Sequence, residues 1–211
     1  MPNQTSFTKN LRGLYAVTPE ISSTDQLLKQ VEAALNGGLN LLQYRAKTLP
    51  ATLRKHQSTA LLELCSNFNC PLIINDDPFL AKEIGAQGVH LGQSDRQPAL
   101  ARKLLGPSAI IGITCHDSLK LAEIAQQAGA DYLAFGAFYP STSKPLAKPA
   151  QLSILSQAKQ AFGIPVVAIG GITLHNAAPL IEAGADMLAV INDLFTHDDI
   201  QAQCRRFQAL F

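Results

Sequence analysis

Ala128-Gly129-Ala130-Asp131-Tyr132-Leu133-Ala134-Phe135 joins the end of one helical pattern to a short apolar run, and variants of its opening phrase return along the chain. They read Asn36-Gly37-Gly38-Leu39-Asn40, Ile84-Gly85-Ala86-Gln87 and Ala183-Gly184-Ala185-Asp186. The Gly in each supplies the left-handed position at which a helix ends, because it carries no Cβ to clash. The recurrences lie roughly 50 residues apart, about two strand–helix units of a parallel sheet. Strand-length apolar runs stand at Leu14–Val17, Leu39–Gln43, Pro71–Ile74, Gly88–Leu91, Ile110–Ile113, Tyr132–Phe135, Pro165–Ile169 and Met187–Ile191. Between them lie stretches with helical spacing, such as Leu27, Val31, Ala34 and Leu35, or Leu121, Ile124, Ala125 and Ala128. This alternation argues for βαβ units. The eight runs predict a closed (β/α)8 TIM barrel as a single domain over residues 1–211, with a short polar extension at 1–10. The alternative is an open doubly wound sheet, which usually carries a Gly-rich phosphate loop after its first strand. Here the first strand runs into Thr18-Pro19-Glu20, with no such loop after it.

The bulk properties narrow the function. A chain of 211 residues with 47% hydrophobic content builds a sizeable core. A net charge of +1 gives no long-range attraction to nucleic acid or to an anionic membrane. No apolar run reaches the roughly 20 residues of a membrane span. The polar stretch Met1–Asn10 lacks the apolar segment of a signal peptide. Cys65, Cys70, Cys115 and Cys204 form no CxxC pair, so neither a zinc site nor a disulfide framework is indicated. The expectation is a reduced, cytoplasmic protein acting on small molecules.

In a barrel of this class the active site is built at the C-terminal ends of the strands. The residues there are Gln43-Tyr44-Arg45-Ala46-Lys47, Asn75-Asp76-Asp77, Gly92-Gln93-Ser94-Asp95, Thr114-Cys115-His116, the loop Tyr139–Pro145, Gly170-Gly171 and Asn192-Asp193. Alternation along an extending strand sends Gln43, Arg45 and Lys47 to one face, where they read as an anion clamp. Asp76 and Asp95 come just after neighbouring strands and could share Mg²⁺, which takes one or two carboxylates and completes its shell with water and phosphate oxygens. The competing readings are a helix cap, for which Asp77 is better placed than Asp76, and an acid/base pair. Gly170-Gly171 opens backbone N–H groups to an anion where barrels often bind phosphate, or simply makes a tight turn. Ser141, Thr142, Ser143 and Lys144 form a hydroxyl-rich loop that could close over a phosphorylated substrate or stay a surface loop. His90 reads as a barrel-lining histidine. Cys115 and His116 point to opposite sides and make no nucleophile pair. His56, His175 and His197 fall in exposed contexts.

These residues together resemble the thiamine phosphate synthase family. The resemblance rests on Leu14-Tyr15-Ala16-Val17-Thr18, Gln43-Tyr44-Arg45-Ala46-Lys47, Ile74-Asn75-Asp76, Gly88–Asp95, the Ser141–Lys144 loop and Ala168-Ile169-Gly170-Gly171-Ile172, in order from about Leu11 onward. It implies a transferase that joins 4-amino-2-methyl-5-(hydroxymethyl)pyrimidine diphosphate to a thiazole phosphate, giving thiamine monophosphate and pyrophosphate. It also implies that ionisation leaves a pyrimidine-methyl cation, which the thiazole nitrogen captures. Carried over by residue, Gln43, Tyr44, Arg45, Ala46, Lys47 and Asn75 would contact the pyrimidine diphosphate. Asp76 and Asp95 would hold Mg²⁺, and Thr114 and Lys144 would touch the pyrophosphate. Ser141, Thr142, Ser143, Gly171 and the amides at Ile191 and Asn192 would take the thiazole phosphate. The chain departs from the commonest family pattern at Ala46, Thr114, Ser141, Ser143 and Asn192. None of these changes removes a charge from the pyrophosphate side.

Three other readings share the barrel. A thiazole tautomerase would not need the diphosphate machinery of Arg45, Lys47, Asp76, Asp95 and Lys144. A non-catalytic thiamine-phosphate-binding barrel would bind product without turnover. A phosphosugar isomerase or synthase is permitted by fold alone. Homo-oligomerisation is left open by the sequence.

Overall fold

The apolar runs become parallel strands that close on themselves in sequence order, from the first back round to the eighth. The computed structural model describes residues 11–93, 98–140 and 149–211. The strands are β1 (Gly13–Val17), β2 (Leu41–Tyr44), β3 (Leu72–Asn75), β4 (Gly88–Leu91), β5 (Ile110–His116), β6 (Tyr132–Phe135), β7 (Val166–Ile169) and β8 (Met187–Val190). The helices of the outer ring are α1 (Thr24–Asn36), α2 (Ala51–Asn67), α3 (Pro78–Ile84), α4 (Pro98–Leu105), α5 (Leu119–Gln127), α6 (Ser153–Ala161) and α7 (Ala178–Glu182), with α8 (Asn192–Phe195) and α9 (Ile200–Gln208) after the last strand. Closure is made by β1 against β8, where Leu14 pairs with Leu188 and Ala16 with Val190. The (β/α)8 expectation is met. Two strands differ from their apolar runs by more than one residue at an end. β2 starts at Leu41 because Leu39 and Asn40 are still leaving α1, and β5 runs on to His116 through an irregularity between Thr114 and His116.

Period-two alternation divides the core into two layers. Leu14, Ala16, Leu42, Leu72, Ile74, Val89, Leu133 and Leu188 face the helices. Tyr15, Val17, Leu41, Ile73, Ile110, Tyr132, Val167 and Met187 fill the barrel. In α1, Leu27, Val31, Ala34 and Leu35 are the buried stripe, and each large member contributes roughly 1.5–3 kcal/mol on burial. The Ser23 side chain caps the start of α1 by accepting from Gln26 N.

The recurring phrase has a second job beyond ending helices. Gly38, Gly85, Gly129 and Gly184 all adopt positive φ, between 78° and 111°. The residue two places after three of these glycines then ties down the preceding strand. The Asp131 carboxylate accepts from Ile111 N at 2.7 Å, and the Asp186 carboxylate accepts from Val166 N at 2.8 Å. Gln87 Oε1 accepts from Leu72 N at 2.9 Å. Arg102 and Lys159 pair with the two carboxylates, at 2.6 and 2.9 Å. At the first repeat Gln208 of α9 does this work, accepting from Leu14 N while its amide group donates to Asn40. These contacts stitch the N-terminal end of the barrel, leaving the opposite rim for the site.

Candidate active site

The clamp after β2 is held by residues at the end of β1. β2 ends at Tyr44, so Arg45 and Lys47 leave from a loop. The strand alternation that groups them with Gln43 therefore does not position them. Two neighbouring residues do. Thr18, almost fully buried, accepts from Arg45 N at 2.9 Å. The Glu20 carboxylate accepts from Lys47 N at 2.6 Å and Thr48 N at 3.0 Å, and the Thr48 hydroxyl also donates to it. These bonds hold the Glu20 carboxyl below the usual glutamate range. The Thr48 hydroxyl bond is the main cause, and the two backbone donors and the Arg45 charge add to it.

Lys47 reaches across to β3, where its Nζ lies 3.2 Å from Asp76 Oδ2. Asp76 has φ of +60°, and its N–H donates to the His90 carbonyl at 2.8 Å. That left-handed turn separates it from Asp77, which caps α3 by accepting from Leu80 N at 3.0 Å. Asp77 is thus the cap, and Asp76 is the carboxylate turned to the rim. Asn75 closes β3 in register with His90.

Gln43 and Thr114 enter from opposite sides of the barrel mouth. Gln43 is buried and its Nε2 donates to the Tyr15 hydroxyl at 2.5 Å. Thr114 is half-buried, with its Oγ1 2.9 Å from His90 Nε2. Ala46 packs against the helix-side core. The Tyr44 side chain is not brought to this group. Its phenol faces the helices and donates to Gln57 Oε1 of α2 at 2.8 Å, and burial pushes its pKa up to about 12. Cys115 is buried on the helix side, whereas His116 is exposed.

On the far side of the rim lie Gly171 and the start of α8. A Cβ on Gly171 would strike the carbonyl oxygens of Tyr139 and Pro140, so glycine lets the end of β7 lie flat on the β6 loop. Asn176 ties this turn by donating to the Gly171 carbonyl and accepting from Thr173 N, and the Tyr139 hydroxyl donates to the Asn176 carbonyl. Ile191 and Asn192 open α8, and Asp193 below them accepts from Leu174 N and Gln203 Nε2. Asp95, Ser141, Thr142, Ser143 and Lys144 lie outside the described residues. Among the described residues no cluster of three or more His, Cys, Asp and Glu forms a metal site, and no helix is long and apolar enough to cross a membrane.

Sequence reasoning missed Thr18, Glu20 and Asn176. Thr18 and Glu20 stand directly after β1, where the rule of reading strand ends would have reached them. Asn176 bonds within its own turn, to Thr173 N and the Gly171 carbonyl three and five residues back, where it belongs to neither a strand end nor a helix cap.

Comparisons with known proteins identify the family. The family model described as "Thiamine monophosphate synthase" matches residues 14–194. A thiamine-phosphate synthase of Marinobacter nauticus is 54% identical over 202 residues, covering 94% of this chain and 90% of that protein. The same-named protein of Thioalkalivibrio sulfidiphilus is 51% identical, covering 96% of this chain and 97% of its own length. Among solved structures, thiamine phosphate pyrophosphorylase from Pyrococcus furiosus superposes with a TM-score of 0.84 at 30% identity, covering 95% of this chain and 96% of the other. The chain is a transferase of thiamine biosynthesis, and it belongs to the thiamine monophosphate synthase family.

Proposed function

We propose that this rim couples 4-amino-2-methyl-5-(hydroxymethyl)pyrimidine diphosphate to 4-methyl-5-(2-phosphooxyethyl)thiazole, releasing thiamine monophosphate and pyrophosphate. The observation that carries the reading is the Lys47–Asp76 contact, 3.2 Å between the ends of the neighbouring strands β2 and β3. A carboxylate already set against a cation, at the end of a barrel strand, is suited to a hard metal and a polyanion together. Asp76 offers a hard oxygen donor suited to Mg²⁺, and in this reading Asp95 would be the second. When bound, Mg²⁺ supplies positive charge to the diphosphate oxygens.

The chain's own residues do the rest. In this reading Arg45, Lys47 and Lys144 would supply positive charge to the diphosphate, and Thr114 would add a hydroxyl donor. As the bond from the pyrimidine methylene carbon to the diphosphate oxygen breaks, negative charge grows on the leaving group, and preorganised donors favour that state over the ground state. The thiazole nitrogen then donates its lone pair to the methylene carbon. No strong base is needed for this step, because the charge to be stabilised is on the leaving group. Gln43–Lys47 and Asn75 contact the pyrimidine diphosphate. For Tyr44 and Ala46 this contact is through the backbone, since the Tyr44 phenol bonds to Gln57. The Ser141–Ser143 hydroxyls, Gly171 and the amides at Ile191 and Asn192 hold the thiazole phosphate. The reading takes residues 1–211 as one catalytic domain working in the cytoplasm.

The test is a coupling assay with both substrates, first with Mg²⁺ and then with EDTA, in which thiamine phosphate is oxidised to its fluorescent thiochrome. Mg²⁺-dependent product is expected. Folded protein that forms none would shift the assignment to a tautomerase or a binding barrel.

A further inference from the structure

The barrel interior contains a continuous polar path whose inner members, Tyr15, Tyr132 and His90, have no part in the rim chemistry above. Gln43 Nε2 is 2.5 Å from the Tyr15 hydroxyl, which is 2.7 Å from the Tyr132 hydroxyl. Tyr132 in turn lies 2.9 Å from His90 Nδ1, and His90 Nε2 lies 2.9 Å from Thr114 Oγ1. The path crosses from β2 through β1, β6 and β4 to β5. Tyr15, Tyr132, Gln43 and His90 are all buried. The sequence makes room for it at one point: a Cβ on Gly112 would collide with the Tyr132 ring and hydroxyl. The two phenols meet edge to face, with ring centroids 5.8 Å apart.

The path has a direction. Gln43 Nε2 can only donate, so the Tyr15 oxygen accepts from it. Tyr15 then has one proton and one remaining partner, and it donates to Tyr132. Tyr132 accepts that bond and donates its own proton to His90 Nδ1. A ring nitrogen that accepts carries no proton, so the imidazole proton lies on Nε2 and donates to Thr114 Oγ1. The reverse polarity would leave the Tyr15 proton without an acceptor in the apolar interior, which is costly. Burial raises both phenols well above their ordinary value, so both keep their protons. Thr114 therefore accepts from His90 and retains its hydroxyl hydrogen for a further bond. Its β-branch stiffens that orientation.

We propose that Tyr15, Tyr132 and His90 are positioning residues that act through Thr114, holding its hydroxyl as a donor to the departing pyrophosphate. This rests on the transferase reading above. Removing the Tyr132 hydroxyl frees His90 Nδ1 to take the proton. Nε2 then accepts from Thr114 and turns its hydrogen away from the anion. Bonds in such a chain also polarise one another, so the loss propagates.

The experiment pairs kinetics with ¹⁵N NMR of the full chain. Tyr132→Phe should lower kcat about tenfold, the size of one good hydrogen bond in the transition state, while KM for the pyrimidine diphosphate moves less than about twofold. Added to Thr114→Val, the same change should cost nothing more, because both remove one donor. Histidine ¹⁵N shifts of the wild type should report His90 as the Nε2–H tautomer, a readout that needs neither turnover nor a folded variant. An Nδ1–H His90, or losses that add in the double variant, would overturn the proposal. The two failures are separable: a wild type without turnover sinks the transferase reading, whereas turnover with either of those results sinks the chain alone.

Discussion

Lys47 Nζ stands 3.2 Å from Asp76 Oδ2, joining the loop after β2 to the turn after the neighbouring strand β3 on the barrel rim. Both side chains are partly open to solvent, at 54% and 27%. An exposed pair of this kind adds little to stability, at most about 1 kcal/mol. Its value is to the site, where it presents a carboxylate and an ammonium together.

Asp76 can be tested without disturbing the fold, because its φ of +60° is one that asparagine tolerates. Asp76→Asn should keep Tm within about 2–4 °C of the wild type. Its Mg²⁺-dependent product formation should drop by at least about a hundredfold in the thiochrome assay. Asp76→Ala should lose the same activity and in addition about 1–2 kcal/mol of stability from left-handed strain. A tautomerase would survive both changes, and measuring thiazole phosphate isomerisation in the same variants separates the two.

Glu20 anchors the clamp without belonging to it. Its folded pKa is lowered, so its contribution is complete above the ordinary glutamate range and is lost only as pH falls through the lowered value. Between pH 6 and 9 the clamp should therefore not loosen on account of Glu20. Glu20→Gln weakens the charge-assisted bonds to Lys47 N and Thr48 N at every pH. The expected result is a rise of about fivefold to tenfold in KM for the pyrimidine diphosphate with kcat changed less than about twofold. A variant with unaltered KM would show that the loop holds its shape by other contacts.

Gly112 is the gap into which Tyr132 fits. Gly112→Ala forces the ring to move and should cost about 1–3 kcal/mol, as overpacking of a core does. At about 2–4 °C per kcal/mol, calorimetry should see a Tm lower by roughly 2–12 °C. Product formation should fall in the folded variant too, since the displaced hydroxyl no longer meets both Tyr15 and His90.

Asp131 gives the opposite outcome. It lies at the N-terminal end of the barrel and satisfies Ile111 N, at 2.7 Å. Asp131→Ala leaves that buried donor unpaired and should cost about 1–3 kcal/mol, with kcat at moderate temperature unchanged. Asp131→Asn keeps an acceptor and loses only charge against Arg102, so most of the stability should return in urea melts.

Much of this protein was legible along the chain. The Gly in each recurring phrase marks a left-handed helix end by itself, because φ preference is a property of the residue. The apolar runs mark strands because period and length are local. Hence the barrel, and the rim carrying Arg45, Lys47, Asp76 and Thr114, could be read from the chain alone. The sequence also separated Asp77 as a cap from Asp76, since the cap bond to Leu80 spans three residues. The polar residues after the recurring glycines were not legible in the same way. Asp131, Asp186 and Gln87 look like polar punctuation, and their bonds go to residues 15 or 20 positions back. Nor could Glu20 be tied to Lys47 at 27 residues' distance, or Tyr15 to Tyr132 at 117. Secondary structure and strand ends arise from short-range sterics and periodicity, which a single sequence carries. Which polar atoms meet across the barrel depends on register and closure. Only the folded sheet sets these, by bringing distant strands within hydrogen-bonding reach.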